Sequence, residues 1–275
     1  MISDLLDYRS NVQFYREDKI PPKEDIERIL KTVHERMPHN NMRWHYNITI
    51  FGPESKEIKR KLAISSVCHE DSMYWRSHEP DEDEWGVIGE EYDKWRAFQR
   101  DPSQWTKSEY KDDMWHDDHG NIVPDTKLGV DDERILGFNE QVTAPWVLLY
   151  TEAKSTIHPS VEKEMKQIYK KHSDWGKDIA KGRVEKDSLY VQMGQHSTLT
   201  MLLALEAGYN VSYTKCLTLT PSLGFNRQEM QYPSFALSIG YPLEPRRSHS
   251  TNTMLPPWPQ HGIPRPDIED IVKWQ

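Results

Sequence analysis

Amphipathic helices and short apolar strands alternate along this chain, and a strand lies near each of its ends. A helix is predicted between Pro22 and Pro38, because its apolar residues recur at the spacing of one helical face: Ile26, Ile29, Leu30 and Val33. A strand follows over residues 44–51, where alternate residues point to one side: Trp44, Tyr46, Ile48 and Ile50. This order of elements predicts a sheet flanked by helices.

The remaining elements extend the same alternation along the chain. In chain order, helices are predicted over residues 55–64, 159–180 and 190–207, and strands over residues 144–150, 211–219 and 234–241. The helix over residues 190–207 is mainly apolar and is expected to end at Gly208. Its most buried side is expected to carry four residues: Leu199, Leu202, Leu203 and Ala207.

Residues 70–135 interrupt this pattern with a different composition. Acidic and aromatic residues dominate the segment, aliphatic residues are sparse, and residues 90–98 are compatible with a helix. Evenly spaced tryptophans occur here, but the residues between them do not repeat, so no repeat architecture is predicted. We interpret the chain as one domain over residues 1–275, with residues 70–135 as an insertion that packs its aromatic side chains on the main body.

Composition excludes several classes of function. The 275-residue chain carries 35 basic and 44 acidic residues, a net charge of −9, so it lacks the basic stripe typical of nucleic-acid binding. Its two cysteines, Cys68 and Cys216, do not make a disulfide framework. The first residues lack the apolar core of a signal peptide, and no stretch reaches the length of a membrane span. We therefore predict a cytoplasmic protein that binds neither nucleic acid nor a membrane.

Residues 8–14 contain the chemistry of a phosphate site. A phosphate monoester binds to a charged fork and to short hydroxyl or amide donors, and Arg9-Ser10 supplies both within two residues. A helix start would add a favourable dipole. Taken alone, these two residues favour a capped surface turn.

Three further stretches place polar residues next to predicted strands. Residues 38–44 include His39 and Asn40 and lead into the first strand, and residues 213–215 lie in the strand predicted over 211–219. Residues 240–242, Gly-Tyr-Pro, end the last strand and are followed by arginines. Each has an ordinary interpretation: a loop histidine, a threonine chosen for its β-propensity, a solvated lysine or a surface arginine.

In this order and spacing, residues 8–14, 38–44 and 240–242 resemble the motifs of nitroreductase-type FMN flavoproteins. The resemblance covers residues 1–69 and 136–275 and implies an α+β nitroreductase-like fold with a central, mainly antiparallel sheet. It also implies a homodimer with FMN at the interface. In the implied ping-pong reaction, NADH or NADPH reduces the flavin, and a small nitroaromatic or quinone-like substrate reoxidises it. The insertion lies where some members carry a substrate lid.

The resemblance implies how the FMN phosphate is held. Arg9 and Ser10 match the basic and hydroxyl residues that bind it in the family. Val12 stands where the family usually has another basic residue. One arginine from the C-terminal part is therefore expected to complete the phosphate site, and three are available: Arg246, Arg247 and Arg265.

The resemblance also implies contacts to the flavin ring. His39 and Asn40 lie in the loop that, in the family, reaches across the dimer to the partner's flavin. Tyr213, Thr214 and Lys215 fall where the family places backbone and hydroxyl groups against flavin N5, the atom that accepts and donates hydride. Thr214 is the catalytic residue that this implies, and Lys215 would neutralise negative charge on the ring.

Three alternatives are compatible with the same residues. Thr214 resembles the corresponding threonine of deiodinase-like reductive dehalogenases, and another alternative is an oxygen-using member that fragments its own flavin. The departures from the motifs at Val12, Met42 and Arg43 are compatible with the third alternative, a catalytically degenerate flavin-binding protein or a non-flavin interaction module. Residues 116–119 combine histidines with acids, but in so acidic a segment we interpret them as a solvated loop and predict no metal site.

Overall fold

A computed structural model of the chain describes residues 5, 12, 14–38, 43–65, 89–90, 92–93, 96–97, 100, 115–116, 122–123, 140–157, 186–215 and 233–243. Its helices are α1 (Lys23–Arg36), α2 (Lys56–Ser65) and α3 (Lys186–Glu206), and Glu140–Thr143 form one turn of 3-10 helix. Its strands are β1 (Arg43–Phe51), β2 (Trp115–His116), β3 (Ile122–Val123), β4 (Trp146–Ile157), β5 (Asn210–Thr214) and β6 (Pro233–Gly240). The helix predicted over residues 159–180 lies outside the described residues.

Four of the strands form one antiparallel sheet in the order β1-β4-β6-β5. The register runs across all four strands: Thr49 pairs with Leu149, and Leu149 pairs with Ala236. Ala236 in turn pairs with Thr214. β2 and β3 pair separately as a short antiparallel ladder. The prediction of an α+β protein with a mainly antiparallel sheet flanked by helices is confirmed.

The two faces of the sheet bury different clusters of side chains. One face, which we call the helix face, packs against α1 and α3 through Leu148, Tyr150, Val211, Leu237 and Ile239. The opposite face, which we call the N-terminal face, packs against α2, the 140–143 turn and the N-terminal residues Val12, Phe14 and Tyr15. Burial on both sides explains why residues 146–150 form an uninterrupted apolar run.

The first elements form as the sequence predicts. α1 buries the apolar face that its spacing indicates: Ile26, Ile29 and Val33. On β1, Tyr46 is buried on the helix face and Ile48 packs beside it, as the alternation predicts. The helix predicted over residues 55–64 is α2. None of the described helices combines the length and apolar character needed to cross a membrane.

The buried side of α3 differs from the prediction, although its stop at Gly208 is confirmed by a left-handed φ of +84°. The residues expected on the buried side are only half-buried: Leu199, Leu202, Leu203 and Ala207. The buried side instead carries Leu189, Gln192, Met193, His196, Ser197, Thr200, Met201, Ala204 and Leu205. Hydropathy misplaces this face because some of its polar residues have internal partners; His196 Nδ1 lies 2.9 Å from the Tyr150 hydroxyl.

Two strands have ends other than those predicted. β4 continues to Ile157 instead of stopping at Tyr150, because its second half pairs with the start of β1 from Arg43 onward. β5 ends at Thr214, and the predicted continuation over residues 216–219 lies outside the described part of the chain.

Candidate functional site

The regions of the first and last predicted motifs lie side by side. The amide of Arg16 donates to the carbonyl oxygen of Tyr241 at 2.8 Å. The amide of Leu243 donates to the carbonyl oxygen of Phe14 at 2.9 Å. The N-terminal segment therefore runs antiparallel to the chain that leaves β6.

A buried hydroxyl pair ties this N-terminal segment to β5. The Tyr15 hydroxyl lies 2.8 Å from Ser212 Oγ and 3.3 Å from the Ser238 carbonyl oxygen. The Ser212 hydroxyl in turn donates to the carbonyl oxygen of Val12. Burial raises the pKa of Tyr15 well above its ordinary value, so the phenol stays neutral. Val12 is therefore held beside the strand that ends at Thr214.

Gly240 allows the N-terminal segment to pack this closely. A β-carbon at this position would lie 2.8 Å from Cδ of Pro145 and 2.8 Å from Cδ1 of Tyr15. Either neighbour would have to move to accommodate a side chain. The glycine of the Gly-Tyr-Pro motif thus has a packing role where the N-terminal segment crosses the sheet.

The three residues at the end of β5 occupy three environments. Thr214, 3% exposed, lies on the N-terminal face, and its hydroxyl donates to the side-chain oxygen of Gln141 at 2.6 Å. Tyr213 points to the helix face, where its ring centroid lies 5.8 Å from that of Phe235. Lys215 is exposed to solvent. Only Thr214 therefore faces the same side of the sheet as Tyr15.

Glu140 is a buried carboxylate that was not among the predicted site residues. It is 0% exposed, and the Tyr92 hydroxyl donates to its Oε2 at 2.5 Å. Arg96 and Arg100 each donate to its Oε1 at 2.7 Å. Charge-assisted hydrogen bonds replace the hydration that the carboxylate loses on burial. Burial, and then the charge of Glu140, raise the pKa of Tyr92, which keeps its hydroxyl a donor.

The partners of Glu140 share one helical face. Tyr92, Arg96 and Arg100 are four residues apart, and every described position between 89 and 100 is helical, as the sequence predicts for residues 90–98. Arg100 also donates to the Tyr15 carbonyl oxygen at 3.1 Å. Their spacing is the sequence signal that indicates a common partner. This part of the insertion is thereby anchored to the N-terminal face.

Six of the predicted site residues lie outside the described residues: Arg9, Ser10, His39, Asn40, Arg247 and Arg265. The described chain on their flanks shows where each region begins. The N-terminal motif joins the described chain at Val12, beside β5, whereas residues 39–40 precede β1 at the opposite edge of the sheet. Three strand intervals, about 14 Å, separate those two edges.

A second buried polar group, on the helix face, belongs to the core. His196 lies between Tyr150 and Thr200, with its Nδ1 2.9 Å and 3.3 Å from their hydroxyl oxygens. Burial lowers the pKa of His196 to about 4, so the ring is neutral at physiological pH. The neutral ring and the two hydroxyls can form hydrogen bonds with each other. We therefore interpret this group as part of the core.

Comparison with known proteins identifies the fold. No protein-family model matches the chain, and no curated protein matches its sequence. Among solved structures, the chain is similar to a nitroreductase-like family protein of Bacillus cereus, at 11% identity and a TM-score of 0.52 over 100% of this chain and 96% of that one.

Two further solved structures lead to the same fold. The chain is similar to an FMN- and NADPH-dependent nitroreductase of a Sphingopyxis strain, at 16% identity and a TM-score of 0.50 over 100% of this chain and 99% of that one. It is also similar to an Exiguobacterium sibiricum protein named as a nitroreductase and solved with FMN, at 14% identity and a TM-score of 0.50 over 100% and 97%. The chain therefore has the nitroreductase-like fold that its sequence predicts.

Proposed function

We propose that the chain is an FMN-dependent oxidoreductase that uses NADH or NADPH to reduce a small nitroaromatic or quinone-like substrate. The observation that carries this proposal is that the N-terminal segment meets both the chain after β6 and the strand β5 in a nitroreductase-like fold. The N-terminal segment pairs with the chain after β6, and its residues Val12 and Tyr15 contact Ser212, two residues before Thr214. The FMN and NADPH dependence of the similar Sphingopyxis enzyme supports the same chemistry.

The donor set of these regions fits FMN. Arg9 and Ser10 supply a guanidinium and a hydroxyl for the phosphate. The exposed Lys215 supplies a cation for the ring, and Thr214 supplies a hydroxyl on the adjoining face. When bound, FMN supplies hydride chemistry at its N5 atom, and the protein contributes orientation and electrostatics.

Arg247 is the C-terminal arginine that we propose for the phosphate, with Arg265 as the other choice. Leu243 is hydrogen-bonded to the N-terminal segment, and four residues of extended chain span at most about 14 Å. This reach would allow Arg247 to approach the N-terminal segment that carries Arg9. It would compensate for Val12, whose side chain is buried in the core of the N-terminal face.

A homodimer with FMN at its interface is part of the proposal. Residues 39–40 precede β1, at the sheet edge opposite β5, so contacts from His39 and Asn40 to the flavin would come from a second copy. α3 also exposes apolar side chains, with Tyr190 at 52% and Val191 at 58% exposure. A second copy of α3 would cover these exposed apolar side chains.

We further propose that the insertion over residues 70–135 shapes access to the substrate. Its helical residues Tyr92, Arg96 and Arg100 are hydrogen-bonded to Glu140, and the next residue, Gln141, accepts the Thr214 hydroxyl bond. The insertion and the proposed N5 region are therefore joined through two adjacent residues. A change in the position of the insertion would therefore alter the hydrogen bond between Thr214 and Gln141.

Cofactor identification tests this proposal directly. The purified protein is expected to be yellow and to release FMN, identified by mass, on mild denaturation. Anaerobic addition of NADH or NADPH is then expected to bleach the flavin absorbance within seconds to minutes. A colourless protein that gains no flavin spectrum when FMN is added would exclude every flavoenzyme interpretation.

A second candidate function is a flavin-binding protein without catalysis. The buried position of Val12 favours it, because no phosphate contact comes from that side chain. The bleaching experiment separates the two functions. A yellow protein that neither NADH nor NADPH bleaches would be a flavin carrier, whereas bleaching identifies an oxidoreductase.

Thr214→Val tests the proposed catalytic residue while preserving its shape. The hydroxyl has one hydrogen, which it donates to Gln141, so it would meet the flavin as an acceptor or after exchanging that bond. We expect flavin reduction by NAD(P)H, measured by stopped flow, to slow about tenfold, the effect of one lost hydrogen bond. Thr214→Ser keeps the hydroxyl and should react at close to the wild-type rate. Equal rates of flavin reduction in both variants would show that the Thr214 hydroxyl takes no part in the reaction.

A further inference from the structure

A cleft opens on the N-terminal face, at the end of the sheet where β1 ends and β4 begins. It has a volume of about 210 Å³, the space of about seven water molecules. Pro53, which follows β1, and Pro145, which precedes β4, line it. β5 begins at this same end of the sheet, at Asn210, and runs away from it to Thr214. Of the residues predicted to bind flavin, the three that the structure describes, Tyr213, Thr214 and Lys215, do not line this cleft.

Lys59 is a buried ammonium on the wall of the cleft. It is 3% exposed, and its Nζ donates to the carbonyl oxygens of Ala144 at 2.8 Å and Pro145 at 3.2 Å. A protonated lysine has three N–H donors. Among the residues that the structure describes, the third N–H has no acceptor and is available to a ligand in the cleft.

The other charges around the cleft leave a cationic excess. Arg60 is paired with Asp93 at 2.8 Å, and Arg96 is paired with Glu17 and Glu140. Within the described part of the chain, Lys56 and Lys59 line the cleft without a carboxylate within ion-pair distance. The guanidinium groups of Arg60 and Arg96 are already engaged in ion pairs. The positive charge available to a ligand is therefore that of Lys56 and Lys59.

We propose that this cleft binds the carboxylate of a small organic acid, with Lys59 and Lys56 as its cationic ligands. Ile20, Pro53 and Pro145 supply apolar walls for the body of the acid, and Ile20 is 46% exposed, an apolar surface that such a ligand would cover. Two point charges and one desolvated donor suit a carboxylate better than a phosphate, which is typically held by arginine forks and several amide or hydroxyl donors. The proposal does not depend on flavin binding.

Calorimetric titration of the protein as purified with benzoate tests this site. Benzoate is expected to bind, and its neutral isostere benzamide to bind about tenfold more weakly or not at all. Lys59→Met is expected to weaken benzoate binding about tenfold or more, by removing a charge-assisted hydrogen bond. Lys56→Gln, at an exposed position that does not threaten the fold, is expected to weaken it about threefold.

Lys61→Gln is the matched control, because Lys61 lies on the same helix and pairs with Glu57 instead of lining the cleft. It should bind benzoate as the wild type does. Equal binding of benzoate and benzamide, or affinities unchanged in both cleft variants, would overturn the proposal. A benzoate-induced change in the flavin spectrum that persists in Lys59→Met would place the acid at the flavin and would also overturn it. Tighter binding of inorganic phosphate than of benzoate would contradict the assignment to carboxylates.

The pH dependence of benzoate affinity gives an independent readout. Burial lowers the pKa of Lys59 to about 8, and binding requires its charged form. Affinity should therefore be constant below about pH 8 and fall about tenfold per unit above it. The charged groups that face this ammonium or its cleft are Glu17, Glu54, Lys56, Arg60, Asp93 and Arg96. Constant affinity from about pH 7 to about pH 10, together with unchanged affinity in Lys59→Met, would show that Lys59 does not bind the carboxylate.

Discussion

Glu140→Ala is expected to lower the free energy of unfolding by about 3–5 kcal/mol, because it breaks a buried ion network from one side. Glu140 is fully buried, and Arg96 and Arg100, 28% and 18% exposed at their side chains, are its partners. Removing the carboxylate leaves two partly desolvated guanidinium groups with only the half-exposed Glu17 as counter-charge, and it removes the acceptor of the Tyr92 hydroxyl bond to Glu140. Urea denaturation of the wild type and the variant measures the difference.

Asp93→Ala provides the matched control for this prediction. Asp93 also pairs with an arginine across the junction between the insertion and α2, but the Arg60–Asp93 side chains are 41% and 58% exposed. An exposed pair of this kind contributes less than about 1 kcal/mol. If Glu140→Ala costs no more than Asp93→Ala, the buried network does not anchor the insertion. Faster hydrogen exchange over residues 89–100 in the Glu140 variant alone would show that this segment has come loose.

The same network determines how the role of the insertion is best tested. Deleting residues 89–100 would remove the partners of Glu140 and destabilise the protein, whatever the insertion does for substrates. Changes elsewhere in residues 70–135 leave the anchor in place. Altered substrate range with retained flavin in such variants is the result that a substrate lid predicts.

The parts of the fold that were predictable from sequence are those in which one side of an element meets water. The spacing of Ile26, Ile29 and Val33 reveals the buried face of α1, and the alternation about Tyr46 reveals that of β1, because polar residues occupy the other side. α3 has no such contrast. Its buried face carries His196 and other polar residues. The orientation of the helix therefore depends on partners that lie on the sheet, such as Tyr150 of β4.

The contacts within the candidate site could not be predicted from the sequence, because they too join residues that lie far apart along the chain. Tyr15 meets Ser212 across 197 residues of chain, and Thr214 meets Gln141 across 73. A serine in a strand and a glutamine in a turn carry no local signal of such partners. Glu140 is the extreme case, because an isolated acid is expected to be exposed. Three long-range donors, together with the nearby Thr143 hydroxyl, satisfy its buried carboxylate. The motif residues were predicted because a known family shares them, and such a resemblance indicates a region of the fold rather than its individual contacts.

Arg9→Ala is expected to weaken FMN binding about ten- to hundredfold, the effect of losing a charge-assisted contact of about 1.5–3 kcal/mol to the phosphate. The loss should be large because Val12, buried in the core, contributes no second cation next to Arg9. Quenching of flavin fluorescence on titration of the apoprotein measures the affinity. Arg16→Ala is the matched control: Arg16 lies on the same segment, but its guanidinium pairs with Asp18 at the surface, and FMN affinity should not change.

Riboflavin distinguishes a phosphate contact from a general effect on the flavin region. It has the ring of FMN without the phosphate, so Arg9→Ala should leave its affinity unchanged while that of FMN falls. An equal loss for both ligands would mean that Arg9 supports the segment rather than the phosphate. An unchanged FMN affinity would make Arg9 a surface residue, and the phosphate would then have to be held by arginines from the C-terminal part of the chain. In that case Arg247→Ala, four residues beyond the paired Leu243, is the variant expected to lose FMN while retaining riboflavin.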